Sequence, residues 1–489
     1  MTRDAHRCDS PVGAGLRSAD AAPEPHCCRT PLSDRADGRS PGIVYCGILE
    51  MLMTFMHLVT RASRALAPIL AFSLSLQPMA RAAAASPPAD DLGWPSQKLS
   101  ASNGAAQYGF GRAIAVSGDT AFIAALNAPA GGAVYVFERT DTGWVEVQQL
   151  NATDSPDGAD FGSSIAIEGD TALIGADRTT LTDDGQRHQG AAYIFRKGTD
   201  GLWTQTQMLT ASDFGAEAQF GNAVAVSGDT ALIGAYNSTI DENSYQGAAY
   251  VFTRSGTTWT ETQKLVADDG IGGDDFGNAV ALDGNRALVA AEYGSGIAAQ
   301  SGTVYAFENA SGVWNQTVKI IADDGVFFDT FGYAIALAGD TALITAPYAQ
   351  VGDNFGQGAV YVFDLAAGGE SQVQKLVAND GAASDALGAS ISLDGDTVLV
   401  GASSALEYAG EAYLFANAGG TWSELGQLSG SDEVSGDNVG YAVALSGTTA
   451  IVGAPLQTID GNTGQGAAYF FERLLAEEIF ADGFDARSR

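Results

Sequence analysis

From about residue 94 to residue 473, apolar and polar residues alternate at period two in short runs, which predicts β-strands rather than helices. The runs come in sets of four. One set reads NAVAVS (residues 222–227), ALIGA (231–235), GAAYVF (247–252) and WTETQKL (259–265), here named strands A, B, C and D. A tight turn, SGDT, joins A to B, and its Gly supplies the positive φ that such a hairpin requires. A longer loop joins B to C.

The set recurs along the chain. A Phe-Gly step precedes strand A at Phe110-Gly111, Phe161-Gly162, Phe220-Gly221, Phe276-Gly277 and Phe331-Gly332, and Leu387-Gly388 and Val439-Gly440 continue the series. The spacings are 51, 59, 56, 55, 56 and 52 residues, so seven copies fill the segment and leave no room for a second domain. Residue size is graded within each copy. Strands A and B use Ala, Gly, Val and Ile, whereas C and D use Tyr, Phe and Trp. Sheets that radiate from an axis are crowded at the inner strand and splayed at the outer one, so this grading predicts an all-β, seven-bladed β-propeller of four-stranded blades. Tyr250 and Phe252, like Tyr193/Phe195 and Tyr361/Phe363, are expected to face the neighbouring blade. The ends agree with a ring. Residues 94–99 (WPSQKL) read as a strand D ahead of the first A, and the seventh copy has a strand C (466–471) but no D. The N-terminal strand is therefore expected to pair onto blade seven and close the ring, which removes an exposed sheet edge.

The pattern FG-x-x-[IV]-A-[IVL], GDTALIGA, GAAYVF resembles the FG-GAP repeat. The resemblance covers residues 86–473 almost entirely and implies the seven-bladed propeller found at the head of integrin α chains and in many bacterial secreted proteins. Calcium-binding repeats of the integrin type carry a D-x-D-x-D-G loop. Here the corresponding loops read GADRTTLTDDGQRHQG (175–190) and GAYNSTIDENSYQG (234–247), which depart from it.

Composition adds the setting. Apolar residues make up 46% and charged residues 17%, which is a globular balance. The net charge of −34 speaks against nucleic acid and anionic membrane surfaces and favours a divalent cation or a basic partner. All four cysteines lie in the Arg- and Pro-rich residues 1–50. Residues 51–85 then have the build of a secretory signal peptide: Arg61 and Arg64, an apolar core at 65–76 too short to span a bilayer, and Ala80, Ala82, Ala83 and Ala85 as small-residue cleavage positions. Translation from Met51, Met53 or Met56 accounts for its position, with 1–50 a misassigned or disordered leader. The mature chain, from about Ser86, then keeps 15 basic and 51 acidic residues and no cysteine, and is read as a secreted, periplasmic or surface monomer without a transmembrane segment. Residues 474–489 form a short tail whose IFADGFD resembles a motif at the C-termini of many predicted secreted bacterial proteins.

Candidate chemistry lies in the loops. A–B and C–D turns share one face of the ring, and the B–C and D–A loops share the other. Asp and Glu number 17 in the D–A loops and 9 in the B–C loops. Four D–A loops carry Asp-x4-Asp: Asp269/Asp274, Asp324/Asp329, Asp380/Asp385 and Asp432/Asp437. Such oxygen-rich loops suit Ca²⁺, or else the side chains brace turns through local hydrogen bonds. Phe327 and Phe328 stand in a D–A loop where other copies have small residues, and Tyr236, Tyr245, Tyr293, Tyr348, Phe355 and Tyr408 decorate B–C loops. These aromatics are candidates for stacking on sugars or anchoring a protein, or else they pack on adjacent loops. Catalysis finds little support. His188 is the single histidine of the mature chain, and no G-x-S-x-G elbow, P-loop or Cys/His zinc pattern is present. The leading expectation is a non-enzymatic binder of a protein or matrix ligand through the acidic loop face. A glycan-binding lectin, Ca²⁺-dependent or not, is the alternative, and a carboxylate-pair hydrolase or lyase ranks third.

Overall fold

The computed structural model describes residues 92–473 apart from 95, 155–157, 182–186, 214, 367–370 and 431. The leader, the signal-like segment and the tail lie outside the described residues. Seven antiparallel four-stranded sheets follow one another, six of them in the chain order A-B-C-D. In blade 3 these are Val224–Ser227, Thr230–Ala235, Ala248–Ser255 and Thr258–Leu265. Strands A of successive blades touch one another all the way round, blade 7 meeting blade 1, so the ring is closed.

Strict alternation survives only in the outer strands. Trp203–Leu209, strand D of blade 2, buries its terminal Trp203 and Leu209 and exposes Thr204, Gln207's neighbours and the other outward positions in turn. Strands B and C are buried along both faces, because each sheet is sandwiched between two others. Their alternate residues go to different neighbours. In blade 3, Ala231, Ile233, Tyr250 and Phe252 pack with Ile194 and Leu209 of blade 2. Leu232, Ala249 and Val251 pack with Val289, Tyr305 and Phe307 of blade 4. The Tyr/Phe pairs of strand C thus face the neighbouring blade as expected, and Tyr193/Phe195 and Tyr361/Phe363 do the same at their seams.

The Phe-Gly step is the joint between blades. The Phe220 N–H donates to the Gln189 carbonyl of blade 2 (3.0 Å), and the equivalent bond recurs at Phe110, Phe161, Phe276, Phe331, Leu387 and Val439 at 2.7–3.0 Å. The Phe ring is fully buried and meets strand C edge-on, Phe220 lying 5.5 Å from Tyr250. The following Gly has φ near +94° at Gly221 and +99° at Gly277, and a Cβ at Gly277 would stand 2.3 Å from the Ala248 carbonyl oxygen of blade 3. No other residue fits both the backbone angle and the gap. Outer strands add a second clasp. Gln97, Gln148, Gln207, Gln263 and Gln374 each bond both the N–H and the C=O of a Trp in the next blade, at 2.7–2.9 Å.

Ring closure follows the expected scheme. Ser96–Leu99 pairs antiparallel with strand C of blade 7, from Ser96 opposite Phe471 to Leu99 opposite Ala468. Lys98 meets Asp432 at 2.7 Å, Gln97 clasps Trp144, and Leu92 and Trp94 pack against the core between blades 6 and 7. Deleting residues 94–99 removes all of these except the Leu92 contact and uncovers the edge of strand C in blade 7. The truncated chain is expected to aggregate or to lose its single cooperative transition in calorimetry. A truncated chain that melts like the full one would contradict strand exchange as the closure.

Candidate functional site

The antiparallel order brings the B–C and D–A loops to one face, where the sequence-selected residues divide into two groups. The first group belongs to the scaffold. Asp269 accepts hydrogen bonds from Tyr305 Oη (2.8 Å) and Lys319 Nζ (2.7 Å) of the following blade. Asp324 is held in the same way by Tyr361 and Lys375, and Asp432 by Tyr469 and by Lys98 of the closing strand. Asp380 accepts from Tyr413 (3.1 Å), and Gln427 stands where blades 3, 4 and 5 and the closing strand have Lys. In the second half of each pair, Asp274, Asp329, Asp385 and Asp437 accept the backbone N–H three residues earlier, from Ile271, Val326, Ala382 and Val434. Burial opposes ionisation of Asp324, but the bonds from Lys375 and Tyr361 outweigh it and hold the carboxyl below its ordinary range. Asp269 behaves alike. Among the described residues, no three His, Cys, Asp or Glu side chains gather at metal-binding range. Asp213 belongs to the same scheme, bonded to Tyr250 and Lys264, but was missed because Ala218 occupies the second position of its pair.

The second group is open to solvent. Phe355 is 62% exposed, Tyr408 58%, Phe327 55% and Tyr245 51%. Tyr348 and Phe328 are also exposed. Phe327, Phe328 and Tyr293 converge into one cluster, with ring centroids 4.1 Å apart for the first two and 6.1 Å for Phe328 and Tyr293. Tyr245 and Tyr408 have φ of +59° and +69°, at a loop position where blades 5 and 7 use Gly356 and Gly464. Their backbones are nonetheless fixed: the Tyr245 carbonyl accepts from Gly273 and Asp275 N–H, and the Tyr408 carbonyl from Gly436 and Asn438 N–H, all at 3.0–3.1 Å. Tyr408 closes a short helical turn, Ala405–Tyr408, in which Leu406 and Glu407 are also left-handed. His188 holds the equivalent place in blade 2, with Nδ1 2.9 Å from Glu217 Oε2.

Of a third set, the sequence marks only Tyr236. The positions just after strand B and just around the Phe-Gly step bring Asp177, Asp275 and Glu292 into electrostatic range of Tyr236. Burial, then the neighbouring Asp275, raises Glu292 to about 7. Burial and then Asp274 raise Asp275 to about 7, and burial and then Asp160 raise Asp177 to about 6 despite the nearby Arg178. Burial, followed by the three carboxylates, lifts Tyr236 to about 12. Tyr333 joins through Glu292, Tyr293 and Tyr348, and Arg112 stacks over Tyr441 at 4.9 Å. The signal available in the sequence was departure from repetition: the position after strand B holds Leu126, Asp177, Tyr236, Glu292, Pro347, Ser403 and Pro455 in successive copies.

Seven blades, an outer strand exchanged between the chain ends, and a face of unlike loops define a β-propeller whose variable surface is that loop face. The model of the FG-GAP repeat matches residues 95–137, 144–195, 203–252, 259–307, 314–363, 371–415 and 422–471, well over half of the sequence, and the chain belongs to this family. A search of curated proteins finds no match. No helix among the described residues is long and apolar enough to cross a membrane.

The raised carboxyls have a consequence for stability. A group whose folded pKa lies above its unfolded value binds its proton more tightly when folded, so its contribution is full at about pH 4 and is lost as pH rises through about 7. Glu292→Gln is therefore expected to stabilise the fold at pH 8 by about 1–2 kcal/mol and to change little at pH 4. Denaturant titrations at the two pH values measure this. An equal effect at both would contradict a charge penalty at Glu292.

Proposed function

We propose that the protein is a non-enzymatic interaction scaffold, secreted or displayed at the cell surface, which binds a protein or matrix ligand through its loop face. One observation carries this reading: Tyr245 and Tyr408 occupy backbone positions that favour glycine, are anchored there by the next blade, and leave their rings in solvent. A left-handed conformation costs an L-residue roughly 1–2 kcal/mol. The equivalent position is left-handed in every blade, at Ala130, His188, Gln300, Gly356 and Gly464 as well, so the seam imposes the angle and neither tyrosine ring is needed to hold it. The backbone anchoring also lowers the entropy lost when a ligand orders the side chain.

The cluster of Phe327, Phe328 and Tyr293 supports glycan stacking as the second reading. Calcium remains a proposal for the Asp pairs. At Asp324 and Asp329 it would compete with Lys375 and with the Val326 N–H, so binding there would appear as a melting shift on adding Ca²⁺ that EDTA reverses.

Tyr245→Gly with Tyr408→Gly tests the main reading. The double variant is expected to melt no lower than the wild type and to lose capture of ligands from the native environment. A glycan array with and without chelator, run in parallel, separates sugar from protein ligands. Unchanged capture together with a lower melting temperature would show the tyrosines to be structural and remove the support for the proposal.

A further inference from the structure

The loop face is not uniform. From residue 236 to residue 466, nine successive B–C and D–A loops carry eighteen Asp and Glu and no Lys, Arg or His. These loops belong to blades 3 to 7. The cations carried by the B–C and D–A loops or by the Phe-Gly step, Arg112, Arg178, Arg187 and His188, all fall in blades 1 and 2, while the lysines at the loop end of the outer strands in blades 3, 4, 5 and 7 (Lys264, Lys319, Lys375 and Lys98) are each paired with an Asp. Among the described residues, three of the eighteen carboxylates are ion-paired: Asp269, Asp324 and Asp432, with strand D lysines. The same loops present large apolar side chains to solvent. Ile271, Ile297, Phe327, Phe355, Tyr408 and Val434 are each 55–62% exposed.

Acidic charge well in excess of counter-charge and apolar tips on one sector are two separate patterns that coincide. We propose that the loop face of blades 3–7 is a docking crescent for a basic, amphipathic protein surface, one in which Lys or Arg flank aliphatic or aromatic side chains. This rests on the reading of the loop face as a binding surface and names the partner's chemistry. Charge complementarity supplies the choice of occupant. A cationic partner relieves repulsion among the unpaired carboxylates and is steered onto the sector, while the apolar tips supply burial that slows its release. A second copy of this chain docked through the same sector would set acid against acid. The cations of blades 1 and 2 fix the partner's orientation, because a basic surface is repelled from that side.

The test uses the full chain and three fluorescent peptides of equal length, alternating Leu with Lys, Gly with Lys, and Leu with Glu, followed by polarisation at two salt concentrations. The Leu/Lys peptide is expected to bind saturably, roughly tenfold or more tighter than Gly/Lys, and more weakly at high salt, while Leu/Glu does not bind. Replacing Phe327, Phe355 and Val434 together by Ser is expected to weaken Leu/Lys binding roughly tenfold, and replacing Val147 and Val313 on the outer strands by Ser to leave it unchanged. Equal binding of Gly/Lys and Leu/Lys would overturn the proposal as diffuse charge attraction. Equal weakening by the outer-strand control, or no peptide binding at all, would overturn it too. If peptides fail to bind while the tyrosine double variant still loses its native ligand, or a neutral glycan binds in their place, the loop-face reading stands and the basic partner falls. If neither peptide nor native ligand depends on the loop face, both fall.

Discussion

Everything in this molecule hangs on how one blade is joined to the next, and that joint is the Phe-Gly step. At each seam a backbone N–H crosses to a carbonyl of the preceding blade, a buried ring fills the wedge, and a glycine lets two backbones approach more closely than any side chain permits. A sheet of four short strands cannot bury both of its faces alone. It does so here only between two others, which is why strands B and C are covered on both sides and why no blade is expected to fold by itself. The ring then leaves one joint to be made between distant parts of the chain. Residues 92–99 make it, using the same Lys-to-Asp bond and the same Gln clasp that neighbouring blades use.

The joint also explains the division of labour on the loop face. Scaffold carboxylates recur because the seam recurs. Asp213, Asp269, Asp324 and Asp432 each tie a D–A loop to the Tyr and Lys of the next blade. The side chains that do not recur, such as those of Phe327, Phe355, Glu292 and Tyr408, have no part in that tie, even where their backbone carbonyls do. Rigid seams under variable loops give a surface on which side chains can change without loss of the fold.

Much of the fold was legible in the sequence because its causes are local and repeated. Gly in the turns, small residues on A and B, and aromatics on C and D each state a steric condition seven times over. The orphan strand at 94–99 could be assigned because its partner was missing at the other end. The candidate site was less legible. Asp-x4-Asp was visible as a spacing, but its meaning depends on Tyr305, Lys319 and their equivalents, which lie about fifty residues away and meet the Asp only in the folded ring. Glu292, Asp275 and Asp177 escaped notice because their effect on one another depends on burial and on contact between blades. The positive φ of Tyr245 and Tyr408 is likewise a property of the loop's path and not of its letters.

The most direct test of the central constraint separates close approach from backbone angle. Gly277 (φ +99°) belongs to a Phe-Gly step, and an added Cβ would meet the Ala248 carbonyl oxygen at 2.3 Å, whereas Gly436 (φ +96°) has nothing within 4 Å. Both substitutions by Ala incur the same angular strain, about 1–2 kcal/mol. Denaturant unfolding of the two variants is expected to show Gly436→Ala losing about that much and Gly277→Ala losing several kcal/mol more, because two blades must move apart. Equal losses at the two positions would contradict the claim that the Phe-Gly step is where the blades are joined.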